Sequence, residues 1–122
     1  MNPKILFVDD EVNVLEGLRR GLRIKHKQWD MVFITDSQEA MKRLEKEDFQ
    51  VIITDMLMPE VSGLELLAKA RDLYPDSYRM ILSGEMSMEL GPQAQEVAHV
   101  CIRKPCSPKQ LIAEVERLLN VL

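Results

Sequence analysis

Five short apolar runs punctuate the chain: Ile5-Leu6-Phe7-Val8, Met31-Val32-Phe33-Ile34, Val51-Ile52-Ile53, Met80-Ile81-Leu82 and Val100-Cys101-Ile102. Each is continuous rather than alternating, the pattern of strands covered on both faces, as in parallel sheets. Between the runs, apolar residues take helical spacing. Val12, Leu15, Leu18 and Leu22 form one stripe, and Leu111, Val115, Leu118 and Leu122 form another. Ser62 with Glu65 and Ser107 with Gln110 have the form of capping boxes, Pro108 stands at a first helical position, and Asp36 with Glu39 marks a similar start. The segment from Gly84 to Ala98 contains Gly91-Pro92, which predicts a short fourth helix beginning near Pro92 or an irregular connection. Strand and helix alternating five times predict an α/β fold: a doubly wound, five-stranded parallel sheet with right-handed crossovers.

Length and composition narrow the class. The 122 residues suit one domain, and 46% hydrophobic with 30% charged residues is the balance of an ordinary globular protein. Without repeats or linker-like tracts, residues 1–122 are expected to form a single unit, with any output domain outside this chain. A formal charge of −4 argues against nucleic-acid binding, which needs a basic face. No apolar stretch approaches the roughly 20 residues of a membrane span. The N-terminus lacks a signal-peptide pattern, so no membrane contact and a cytoplasmic location are expected. Cys101 and Cys106 stand without a framework of other cysteines and read as reduced thiols. His26 and His99 lack metal-ligand partners at short spacing and are expected at the surface or a sheet edge, while Trp29 anchors the entry to the second strand.

The unusual polar residues fall just after strands. Asp9 and Asp10 follow the first, Asp55 the third, Ser83 the fourth and Lys104 the fifth. In an open parallel sheet these strand ends share one edge, where ligands bind beside the topological switch point. Two strand orders are common, and the polar residues choose between them. With order 2-1-3-4-5, strands one and three are neighbours, and Asp9, Asp10 and Asp55 converge in one crevice. Three carboxylates there repel one another unless a cation is present. All-oxygen ligands point to a hard ion, and Mg2+ suits a site of few carboxylates and a phosphate oxygen. Lys104 supplies a positive charge on the far side for an anionic phosphoryl group, and Ser83 offers a hydroxyl. Asp55 is the candidate nucleophile, since a carboxylate attacking phosphorus gives an aspartyl phosphate. Any one of these residues alone is more often a turn or surface residue; their common edge carries the signal.

The residues Leu6-Phe7-Val8-Asp9-Asp10-Glu11, Asp55-Met56-Leu57-Met58-Pro59 with Gly63, Ser83-Gly84 and Lys104-Pro105 resemble the signature of response-regulator receiver domains of two-component signalling, across essentially the whole chain. The resemblance implies a flavodoxin-like fold and a switch phosphorylated on Asp55, with no chemistry beyond gaining and losing that group. It implies metal ligation by Asp9, Asp10, Asp55 and the backbone carbonyl of Leu57. It also implies that Ser83 is the switch hydroxyl, that Lys104 binds the phosphate, and that the Lys104-Pro105 bond is cis. The implied partners are a sensor histidine kinase or phosphotransfer protein and an output domain or partner protein, with homodimer formation open. Gln28-Trp29-Asp30-Met31 and Lys104-Pro105-Cys106-Ser107-Pro108 are also similar to receivers that precede HD-type output domains.

Two departures matter. Cys101 stands where the family usually has an aromatic residue, so the loop and helix from Gly84 to Ala98, flanked by Met86 and Met88, are expected to carry the switch. Leu57, two after Asp55, cannot orient a water, whereas Glu85, two after Ser83, could. Two rival functions remain open. A magnesium-dependent phosphohydrolase with an aspartyl nucleophile normally carries a second Asp where this chain has Leu57. A pseudo-receiver, an interaction module never phosphorylated, would not need the full set of Asp9, Asp10, Asp55, Ser83 and Lys104.

Overall fold

A computed structural model of the chain describes residues 2–84 and 91–120. Its strands are β1 (Lys4–Val8), β2 (Asp30–Ile34), β3 (Val51–Asp55), β4 (Tyr78–Ser83) and β5 (Val100–Arg103). Its helices are α1 (Val12–Gly21), α2 (Ser37–Lys46), α3 (Gly63–Leu73), α4 (Gly91–Val97) and α5 (Pro108–Leu119), with a 3-10 turn at Arg23–Lys25. All strand pairs are parallel and the sheet order is β2-β1-β3-β4-β5. The order reverses between β1 and β3, where Val8 pairs with Thr54.

The continuous apolar runs have a direct physical cause. Ile5, Phe7, Val51, Ile53, Met80, Leu82 and Ile102 join Leu15 and Leu18 of α1 and Leu111, Val115 and Leu118 of α5 in one core layer. Their alternating neighbours Leu6, Val8, Ile52 and Ile81 join residues of α2, α3 and α4 in the other. Both sheet faces are thus covered, which is why Leu6-Phe7, Ile52-Ile53 and Met80-Ile81 at the middle of the central strands are apolar on both sides. The edge strands differ from the sequence expectation: β2 and β5 are only partly buried, because each has a partner on one side alone. Trp29 is buried at the entry to β2, and His26 and His99 lie exposed.

The helix starts form where expected. Ser62 and Glu65 make a reciprocal capping box, the Asp36 carboxylate accepts from the Gln38 and Glu39 amides, and the Ser107 hydroxyl accepts from the Gln110 amide ahead of Pro108. Of the first stripe, Leu15, Leu18 and Leu22 are buried, but Val12 is 58% exposed. It opens α1 just after Asp9 and Asp10, at the polar edge beyond the last apolar residue of β1. The fourth connection contains the short helix expected near Pro92. Residues 85–90, including Glu85, Met86 and Met88, and Leu122 lie outside the described residues.

Candidate functional site

The C-terminal strand ends place Asp9 just after β1 and Asp55 as the last residue of β3, on the two strands that meet at the switch point. Asp10 follows at the rim. Carboxylate oxygens of Asp9, Asp10 and Asp55 all lie within 4.8 Å of one another, with Asp9 and Asp55 buried and Asp10 exposed. Lys104, just after β5, reaches into this cluster rather than standing across from it. Its ammonium donates to Asp9 Oδ2 at 2.9 Å and lies 3.0 Å from Asp55 Oδ1, with Glu11 Oε1 at 3.9 Å. The Lys104–Pro105 peptide is cis. The Lys104 amide donates to the Ser83 carbonyl at 2.7 Å, tying the ends of β4 and β5 together. Ser83 itself is buried, one residue beyond the Asp55–Leu82 pair of the β3/β4 ladder. The Leu57 side chain is 67% exposed, so any part it takes in the site falls to its backbone carbonyl.

Several residues fix this geometry. Asp9 Oδ1 accepts from the Glu11 amide at 2.9 Å, so Asp9 also caps the approach to α1, where Glu11 makes no side-chain cap of its own. Gly63 brings the start of α3 against the end of β3. Its amide donates to the Met56 carbonyl at 2.8 Å, and a Cβ there would lie 2.2 Å from the Asp55 carbonyl oxygen. Only a residue without a side chain permits that approach. The loop between β3 and α3 is held from α2: the Ser37 hydroxyl donates to the Pro59 carbonyl at 2.8 Å and accepts from the Val61 amide. This role of Ser37 was not visible in the sequence, where its place after the Asp36 cap is explained by the helix start alone. The loop also contains Glu60 at φ 70°, a left-handed conformation uncommon for a residue with a side chain.

The electrostatics follow from burial. Loss of water pushes the Asp55 carboxyl above its ordinary value; Lys104 opposes that, and the charges of Asp9 and Asp10 add to it. Burial alone would depress the Lys104 ammonium, but its contacts with Asp9 and Asp55 outweigh this and hold it above the usual lysine value. Three carboxylates against one ammonium leave two surplus negative charges. An all-oxygen donor set with that deficit fits a hard divalent cation, and Mg2+ in particular, which is commonly held by one or two carboxylates plus phosphate oxygens. Cys101 lies exposed on β5, and partial burial pushes its thiol up, away from a reactive thiolate.

The family model for the response regulator receiver domain matches residues 5–116. The hydrogenase transcriptional regulatory protein HoxA of Bradyrhizobium diazoefficiens is 35% identical over 96% of this chain, which spans only 24% of that protein. The response regulator receiver protein CpdR of Brucella abortus is 26% identical, with 95% of this chain and 96% of CpdR covered. Among solved structures, a CheY-like receiver domain protein from Methanospirillum hungatei superposes with a TM-score of 0.86 at 27% identity, covering 97% of this chain and 94% of that one.

Proposed function

Since this chain belongs to the response regulator receiver domain family, we propose that it is a phosphorylation-controlled signalling switch whose Asp55 takes a phosphoryl group from a histidine kinase or phosphotransfer protein. The observation that carries this reading is the placement of Lys104, within 3.0 Å of both buried carboxylates and at the end of the strand next to Ser83. An ammonium held there by Asp9 is poised to pair with the oxygens of a group arriving on Asp55. A carboxylate oxygen of Asp55 attacks phosphorus, the bond from phosphorus to the donor histidine nitrogen breaks, and its electron pair stays on that ring. Lys104 then exchanges part of its contact with Asp55 for the phosphoryl oxygens, whose negative charge it stabilises. The buried Ser83 hydroxyl is the candidate donor to one of those oxygens.

Asp9, Asp10, Asp55 and the Leu57 carbonyl are the groups that would hold Mg2+, which supplies charge neutralisation for the incoming phosphoryl group. Asp9 already has one oxygen on the Glu11 amide and the other on Lys104. Its share in holding the metal therefore runs partly through water. The family is one of signalling domains, and the chemistry proposed here is confined to the domain's own phosphorylation and dephosphorylation. The whole chain acts as one receiver unit, answering to an output domain or a partner protein.

Incubation with acetyl phosphate and Mg2+, followed by intact-mass measurement, tests this reading. A single phosphate is expected on the wild type, with none when Mg2+ is chelated or when Asp55→Asn is used. Undiminished labelling of Asp55→Asn would assign the nucleophile elsewhere.

A further inference from the structure

The strongest concentration of positive charge lies away from the phosphoacceptor site. Residues 19–27 hold Arg19, Arg20, Arg23, Lys25 and Lys27, five of the sixteen lysines and arginines of a chain with net charge −4, and no acidic residue. This stretch closes α1 and forms the 3-10 turn leading to β2. Beside it is a cavity of about 380 Å³ whose lining includes Arg19, Arg23, His26, Met31 and Phe33. Met31 and Phe33, on the edge strand, are half-buried and supply its apolar floor. Ile24, at the middle of the turn, is 76% exposed, the most exposed of the chain's large apolar side chains among the described residues. Arg20, Arg23 and Lys27 are exposed and form no ion pair among the described residues, and Arg19 has only a surface bridge to Glu16 at 3.3 Å.

A cationic rim over an apolar floor accepts an anionic ligand with an apolar anchor. The state of the two aromatic rings decides which kind. Phe33 is stacked on Phe7 on one side, with ring centroids 4.6 Å apart, and the Arg19 guanidinium lies 4.6 Å from its centroid. Trp29 is buried, with the Lys25 ammonium 5.7 Å from its ring. Neither ring offers an open face, so a nucleobase has nothing to stack on. We propose that this surface docks an acidic segment of a partner protein, with one aliphatic side chain seated against Met31 and the edge of Phe33 and flanking carboxylates on Arg19 and Arg23, while Arg20 and Lys27 of the same stretch add to the attracting charge. Asp30, the one acid lining the cavity, sets the register by excluding a carboxylate from its own side. Asp30 opens β2 and pairs with Lys4 at the start of β1, so the surface extends toward the sheet edge opposite Asp9 and leaves the phosphoacceptor site open. The proposal does not depend on phosphorylation of Asp55.

Trp29 is the sole tryptophan and reports on this surface directly. The probe is an acetylated, amidated peptide of two leucines flanked by glutamates; its glutamine counterpart and ATP serve as comparisons. The glutamate peptide is expected to change Trp29 emission saturably and to shift amide resonances within residues 19–33. Raised salt should weaken that binding, and Arg23→Glu should weaken it about tenfold. The salt series on the wild type reads the same charge dependence should Arg23→Glu fail to fold. Equal binding of the glutamine peptide, salt-insensitive binding, or no saturable change would overturn the proposal. So would ATP producing these amide shifts in place of the peptide.

Discussion

Asp55 is held in a position that costs the fold stability. Burial raises its pKa above that of the unfolded chain, so the folded state binds the proton more tightly. The stability this contributes is complete below the unfolded carboxylate pKa and is lost as pH rises through the folded one. At neutral pH the ionised group is a burden that Lys104 only partly offsets. Asp55→Asn should therefore raise metal-free stability at pH 7, on the order of 1 kcal/mol by urea denaturation. The gain should shrink toward the acid range. A destabilised Asp55→Asn would mean that Lys104 more than compensates the burial. Gly63→Ala acts on the same atoms from the other side. Its Cβ would meet the Asp55 carbonyl oxygen, a main-chain atom that cannot move without shifting β3. The expected cost is about 1–3 kcal/mol, with slower labelling by acetyl phosphate; wild-type stability and rate would contradict the packing described. Asp9, Asp10, Asp55 and Lys104 were legible because parallel strands gather the residues that follow them. Their pairing was not, since the reach of a lysine side chain leaves no mark on sequence spacing. The contact between Gly63 and Asp55 likewise depends on how closely α3 approaches β3, which no local pattern encodes.

Among the described residues α4 is the shortest α-helix, and a buried arginine anchors its C-terminal end. The buried Arg79 side chain on β4 donates to the Val97 carbonyl at 2.7 Å, at the C-terminal end of α4, and to the Ser77 carbonyl and hydroxyl. A cation at that end also opposes the helix dipole. Truncation by Arg79→Ala leaves these acceptors buried without a donor, at a cost of about 1–3 kcal/mol. Amide exchange at residues 94–98 should accelerate more than in α5. Uniform acceleration across the domain would show instead that Arg79 serves global packing alone. In the sequence, Gly91-Pro92 marked where α4 begins, because a proline is tolerated only in a helix's first turn. The arginine that fastens its other end was hidden, since Arg79 lies at the start of a strand and reads as a surface cation. The strands themselves were legible as apolar runs. Their partial exposure at β2 and β5 was not, because an edge and a centre differ in neighbours rather than in composition.

At the scale of the molecule, charge is divided. The edge with Asp9, Asp10 and Asp55 holds an acidic surplus, while the stretch from Arg19 to Lys27 holds the basic one. Mg2+ binding to the acidic edge should stabilise the fold by mass action, by about 1.4 kcal/mol at tenfold excess over its dissociation constant. Asp55→Asn should lose most of that gain while starting from the higher metal-free stability, and equal gains in both proteins would place the metal away from Asp55. Order 2-1-3-4-5 is what brings Asp9, Asp10 and Asp55 together, because it sets β1 beside β3. The central claim, that Asp55 carries the phosphoryl group, is tested most directly by locating the modification. Borohydride reduces an aspartyl phosphate to homoserine, and peptide sequencing by mass spectrometry then reads its position. After treatment with acetyl phosphate and Mg2+, homoserine is expected at position 55 and at no other aspartate. Homoserine at position 9 or 10, or none in a domain that has bound Mg2+, would contradict the account.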